Sequence, residues 1–224
     1  TSLATFEKEG LLIKVETKQI EGGCQLVTAY GGATGLKFSR DGDIGADPES
    51  SFYLQPAYCI DNIYRIQKNS FELFFGSKRP LSETERYEIQ YRTSLTNDSV
   101  RAQLKMITGK FPTNSKLKIA DANRQTSPID FFNSIPAKSP ALVSVLDLYS
   151  DSTYYFFIQP YGDTGEILQE DLAALWKRSE NKRQEIASRI EVVTPDSMIN
   201  TLGGALGIAA DAIWEDPSYL HGAV

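Results

Sequence analysis

One histidine, His221, and two cysteines, Cys24 and Cys59, are all that the 224 residues offer of the usual soft metal ligands and nucleophile activators. A single histidine excludes any metal site built on two histidines of this chain and leaves Ser/His/Asp or Cys/His chemistry hanging on one residue. The cysteines lack the C-x-x-C spacing of a zinc or redox site and sit in apolar, strand-like surroundings, so they are expected as free thiols. Basic excess is missing too: 23 Lys and Arg face 29 Asp and Glu, for a net charge of -6. No basic cluster is longer than Lys177-Arg178 or Lys182-Arg183. Such a chain would be repelled by a phosphate backbone, and no nucleic acid partner is expected. The longest uncharged runs, Gly22 to Leu36 and Ser197 to Ala210, are too short and too rich in glycine and alanine to span a bilayer, so no membrane span is expected.

What is present is the composition of a soluble globular chain, 41% apolar, 11% aromatic and 23% charged. From residue 10 to 160 it reads as short strands between turn clusters. Leu11 to Val15, Cys24 to Ala29, Gly35 to Ser39, Tyr58 to Gln67 and Phe71 to Phe75 come first. Tyr87, Ile89 and Tyr91, then Val100, Ala102, Leu104 and Met106, alternate with polar residues in the two-residue period of half-buried strands. Leu142 to Leu148 and Thr153 to Gln159 follow, joined by Tyr149-Ser150-Asp151-Ser152, and the unbroken Tyr154 to Ile158 run implies burial on both faces. The pair reads as a central hairpin. About nine strands at this spacing predict a mostly β fold, an antiparallel β-sandwich. Pro112 to Pro140, polar and with four prolines, reads as a long excursion with one short strand, Leu117 to Ala120.

After Pro160 the apolar period changes. Ile167, Leu168, Leu172, Leu175, Trp176, Ile186 and Ile190 recur at intervals of three and four, which predicts an amphipathic helix with Trp176 as a packing anchor and Lys177 to Glu185 as its solvated face. Pro195 breaks it. A second helix follows with Ile199, Leu202, Leu206, Ala209 and Ile213 on one stripe, while Gly203, Gly204 and Gly207 permit close approach of a neighbour. The sandwich is expected over 1–162, a linker helix over 163–195, and the start of a helical domain over 196–224. A sandwich followed by a helix with nothing left to pack on leads to the expectation that the chain is the N-terminal part of a longer polypeptide. If the last helix lacks its natural neighbours, its stripe is expected to be exposed or to form a homodimer through residues 196–224.

The segments Thr194-Pro195-Asp196, Gly203-Gly204-Ala205-Leu206 and Asp211 to Ala223 resemble six-hairpin glycosidases, in which an N-terminal β-sandwich leads through a linker helix into an (α/α)6 barrel. Gly42 to Pro48 and Tyr58 to Asn62 fit the same group less distinctively. The wording is closest to an uncharacterised group of Bacteroides type associated with polysaccharides. The resemblance implies a galactose-mutarotase-like super-sandwich followed by the linker helix and the first barrel helix. It further implies a periplasmic or secreted location, carbohydrate as substrate class and a C-terminal (α/α)6 domain as partner. Glycosidases flank the scissile bond with two carboxyl groups. In the relatives these come from later barrel helices, so no carboxylate here is assigned as catalytic.

Trp214, Asp216, Tyr219 and His221 lie within eight residues, offering an aromatic face and polar groups of the kind that grip a sugar ring. They are the candidate substrate-binding residues, in a loop after the last helix; packing at a domain junction is the competing role. Asp41, Asp43, Asp47 and Glu49 depart from the calcium-loop spacing and read as turns, so no metal and no cofactor is assigned. Asn97-Asp98-Ser99 matches a glycosylation acceptor but reads as a turn. Gly22-Gly23 and Gly31-Gly32 precede no helical pattern and read as strand turns rather than a phosphate cradle. Tyr53, Tyr58, Tyr64, Tyr155 and Tyr161 could equally be strand packing or a sugar platform. The leading expectation is a non-catalytic accessory domain of a glycoside hydrolase. The alternatives are a stand-alone carbohydrate-binding module, marked by an exposed aromatic row, and a non-catalytic assembly or adhesion domain, marked by a free sheet edge.

Overall fold

The computed structural model describes residues 1–31, 54–74, 107–160, 167, 169–215 and 218–219. Two antiparallel sheets face one another. The larger has six strands: β1 (Ser2–Ala4), β2 (Leu11–Glu16), β4 (Ile63–Gln67), β5 (Ser70–Phe74), β6 (Ile107–Lys110) and β9 (Thr153–Pro160), in the order β1-β2-β9-β6-β5-β4. The smaller places β8 (Pro140–Asp147) between β3 (Gln25–Tyr30) and β7 (Lys116–Asp121). This is the β-sandwich that the alternating pattern predicts.

Alternation decides which side chains meet. Along β8, Leu142 and Leu146 point inward to Phe71, Leu73, Phe111 and Phe156, forming the core between the sheets. Phe111 packs edge-on against Phe71 at 5.7 Å and Phe156 at 5.2 Å, the T-shaped geometry that aromatic quadrupoles favour. Ser144 is the polar member of that inward row, and its hydroxyl is satisfied by Thr28, its ladder partner, at 2.6 Å. The odd residues Ala141 and Val143 point the other way, into a second cluster with Cys59, Ala120, Ala122 and Phe131. That outer face is covered by the 3-10 turns Pro56–Cys59 and Ala122–Arg124 and by helix α1 (Pro128–Asn133), whose N-cap Ser127 accepts from the Asp130 N–H. Gly31 fits beneath them because a Cβ would lie 3.2 Å from both Ala141 Cβ and Cys59 Sγ.

A third cluster lies on the outer face of the larger sheet. Phe157 and Leu12, opposite each other in the ladder, pack with Ile167, Leu172, Leu175 and Trp176. The last three belong to helix α2 (Leu172–Ala187), capped by Asp171 Oδ1, which accepts from the Ala173 and Ala174 N–H groups at 3.0 and 3.1 Å. Trp176 is the anchor its spacing predicts, against Tyr155 and beneath the Lys14 ammonium, 5.0 Å from the ring centroid. Burying each such apolar side chain contributes roughly 1.5–3 kcal/mol, so these few contacts fix the helix on the sheet. Ion pairs from Lys8 and Arg178 to Glu170, at 2.7 and 3.4 Å, line the rim of the same contact.

Helix α3 (Ser197–Ala212) stacks on α2, so it does not lack something to pack on as expected, and its glycines permit the close approach. A Cβ on Gly203 would stand 2.5 Å from the Ile190 carbonyl oxygen, and one on Gly207 2.8 Å from that of Ile186. Thr194 and Asn200 lock the turn into α3 through three hydrogen bonds of 2.7 to 3.1 Å.

Four further expectations are corrected. The proposed hairpin of β8 and β9 does not form: β8 pairs with β3 and β7, β9 with β2 and β6, and the link between them crosses from one sheet to the other. Residues 58–67 are not one strand, because Pro56–Cys59 turns as a 3-10 helix and Asp61 takes a positive φ of 60°. The excursion over 112–140 holds the expected short strand, as the edge strand β7, but it also folds helix α1. Cys24 is exposed despite its expected apolar surroundings, whereas Cys59 is buried, and the two form no disulfide with each other. The expected strands Gly35 to Ser39, Tyr87 to Tyr91 and Val100 to Met106 lie outside the described residues, as does Asn97-Asp98-Ser99.

Gly203→Ala should lower stability by about 1–3 kcal/mol, because the rigid Ile190 carbonyl forces α3 off α2 and outweighs the gain in helix propensity. Gly204→Ala, whose Cβ would meet Ala187 at an ordinary 3.4 Å, should instead stabilise by up to about 1 kcal/mol. Urea unfolding of the two variants checks the opposite signs. The Thr108 hydroxyl is fully buried and has no hydrogen-bond partner among the described residues, so the isosteric Thr108→Val should be neutral or stabilising in the same assay, by up to about 2 kcal/mol.

Candidate functional site

Of the four candidate residues, the structure brings two together. After α3 the chain makes a short antiparallel ladder of β10 (Trp214–Glu215) and β11 (Ser218–Tyr219), with Trp214 directly opposite Tyr219 and Glu215 opposite Ser218. The expected loop is therefore a hairpin, and its register gathers the two aromatic positions that are five apart in sequence. Trp214 is 48% exposed, following Ile213, whose N–H closes the helix on the Ala209 carbonyl at 3.3 Å. Asp216 and His221 lie outside the described residues.

Other candidates resolve into packing. The Tyr64 hydroxyl donates to the Tyr30 carbonyl at 3.4 Å, and the Tyr30 ring lies 5.3 Å from Phe71. Burial pushes the Tyr30 hydroxyl up to about 12 and raises that of Tyr64 further, as expected of phenols held in a core rather than offered to a ligand. Tyr155 is engaged with Trp176. Tyr53, Tyr161 and the acidic cluster Asp41, Asp43, Asp47 and Glu49 lie outside the described residues. Among the described residues no three His, Cys, Asp or Glu side chains gather as metal ligands would.

Gly22-Gly23 forms the turn that its sequence predicts, with Gly23 at a φ of 89°. It borders an open depression of about 280 Å³ between the β2–β3 turn and the crossover after β8. Its polar groups are used internally: the Ser150 hydroxyl donates to the Ile20 carbonyl and accepts from the Ile20 N–H, both at 2.9 Å. The Gln25 amide donates to Asp147 at 2.6 Å beside it. These bonds tie the crossover to the turn.

The charged face of α2 is likewise self-paired. Arg183 grips Glu180 at 2.6 Å, and Lys182 meets Glu185 at 2.8 Å. A polar feature that periodicity did not reveal lies on the outer face of the larger sheet, where Ser70, Thr108 and Gln159 are buried on β5, β6 and β9. Strand β6 has only four residues, Ile-Thr-Gly-Lys, too few for alternation to identify it.

The two facing antiparallel sheets, with helices added at the C-terminal end, define a β-sandwich protein. The profile of a domain of unknown function, DUF4450, matches residues 1–180, and the chain belongs to that family. The matched span takes in both sheets and the first half of α2; α3 and the Trp214 hairpin follow it. No curated protein compared with the chain matches it. Among the described residues no helix is long and apolar enough to cross a membrane.

The hydrogen bond from Arg183 holds the Glu180 carboxyl at about 2, below its ordinary 4.5. A lowered folded-state value means that the pair's contribution is complete above about pH 4.5 and fades as pH falls toward 2. The pair is largely solvated, so screening keeps the effect small. Glu180→Gln should cost about 0.5 kcal/mol at neutral pH and nothing near pH 2, as read by urea midpoints across that range.

Proposed function

We propose that the chain is a non-catalytic accessory domain of a glycoside hydrolase acting on poly- or oligosaccharide, with the architecture of the six-hairpin glycosidases. The observation that carries this reading is the stacking of α3. Among the described elements, α3 packs substantially on α2 alone, so it forms a second helical layer one step removed from the sandwich. That arrangement suits a sandwich continued by a helical domain, with α2 as linker. The partner in this reading is a C-terminal (α/α)6 domain, and the setting is periplasmic or extracellular in a Bacteroides-type organism.

Carbohydrate contact in this reading comes from the hairpin at the end of α3. A half-exposed indole opposite a tyrosine position provides an apolar face for the C–H side of a sugar ring. The sheets supply the rigidity that holds this face in place.

Calorimetric titration of the chain against plant and host glycans tests the sugar contact. Saturable binding is expected, weakened about tenfold or more in Trp214→Ala, the loss of an aromatic stacking contact. A folded chain that binds none of the glycans, or a variant that binds as well as the parent, overturns the assignment of the hairpin.

A further inference from the structure

Very little side-chain surface ties α3 to the rest of the described chain. Its buried residues are Gly203 and Gly207, which bring no side chain to the contact, and among its apolar side chains only Ile208 and Ala210 are even half-buried. Met198, Ile199, Leu202 and Leu206 stand between 43 and 77% exposed with the helix already seated, so releasing it uncovers little more of them. The ion pair from Arg189 to Asp211, at 3.4 Å between partly exposed side chains, adds little because water screens it. Helix α2 differs: it buries Leu172, Leu175 and Trp176 against Leu12 and Phe157 of the sheet.

The hydrogen bonds at the start of α3 do not reach α2 either. Thr194, Asp196 and Asn200 bond among themselves, and the Asp196 carboxylate accepts from the Met198 N–H at 2.8 Å. They belong to the arm and travel with it. Nor does α3 have much support of its own. Three glycines lower its helix propensity, and a helix of 16 residues is marginal in water without tertiary contacts. The DUF4450 match takes in both sheets and stops at residue 180, short of α3.

We propose that α3 and the Trp214 hairpin form a hinged arm that opens from α2 as a unit of its own, while the sandwich and α2 stay folded. The hinge is residues 191–193, which lie between the two helices in no regular structure and leave Val193 81% exposed. Closed, the glycine contact aims the indole; open, the indole loses that direction and the Ile186 and Ile190 carbonyls come into water. Closure is therefore the step that readies the aromatic face, whatever that face meets.

Hydrogen exchange of the whole 224-residue chain, read by mass spectrometry in sub-denaturing urea, tests the arm. Amides of residues 201–212 are expected to be protected, yet roughly 100-fold less than those of β8 and of the first turns of α2, and to lose that protection in urea that leaves those two intact. Gly203→Ala, whose loss of stability then falls on the α3 step, should speed exchange in α3 about tenfold and leave β8 unchanged. Exchange of α3 at the rate of β8, loss of both together in urea, a Gly203→Ala effect shared by β8, or α3 amides with no protection at all overturns the inference. Glycan titration bears on the sugar contact alone, so the two readings fail separately.

Discussion

The fold depends on the short crossover between β8 and β9. These two strands are the longest of the described strands, and each buries side chains on both faces. If they paired with one another, their inner faces would lie side by side in one sheet and leave nothing to oppose. Sent to separate sheets, Leu142 and Leu146 face Phe156 across the interior, and each strand becomes a template for two neighbours. The crossover is held by partners outside itself: Leu148 N–H donates to the Cys24 carbonyl, and Thr17 Oγ1 donates to the Tyr149 and Ser152 carbonyls. The turn at 20–24 thus holds the crossover in place, which is why the depression there is a structural seam rather than a vacant pocket.

Helical packing follows from the same double burial. The outer faces of β2 and β9 would be apolar and wet without α2, and Trp176 with Leu172 and Leu175 completes that side. The helix and the turn after it then offer a surface suited to a glycine-lined partner, because the carbonyls of Ile186 and Ile190 approach to where side chains would begin. Seating Gly203 and Gly207 inward forces the larger residues of α3 outward. The exposed apolar stripe is therefore a geometric consequence of the glycine face and not an accident of composition.

Strand content, the two-faced burial of β9, the anchoring by Trp176 and the glycine contact of α3 were all legible in the sequence, because each leaves a periodic or steric mark. What escaped was pairing. A connection of five residues suits a hairpin or a crossover equally, and nothing local distinguishes them. The turn at Pro56–Cys59 was hidden by Tyr58 and Ile60, whose β-forming character reads as strand until Pro56 is given its weight as a helix start. Helix α1 was hidden within the proline-rich excursion, and β1 and β6 were too short for alternation to register.

The candidate site was legible as a set of residues but not as a geometry. Four residues within eight suggested a loop, yet the ladder that sets Trp214 opposite Tyr219 arises only once α3 has ended at Ile213. That coupling has a mechanical consequence. The orientation of the hairpin is inherited from α3, that of α3 from its glycine contact with α2, and that of α2 from the sandwich. A half-exposed indole at the end of such a chain of contacts is positioned by the whole fold. Any ligand or domain that seats on Trp214 is registered against the sheets through two helices, and a change at Gly203 or Gly207 would move the aromatic face without altering a single residue in it.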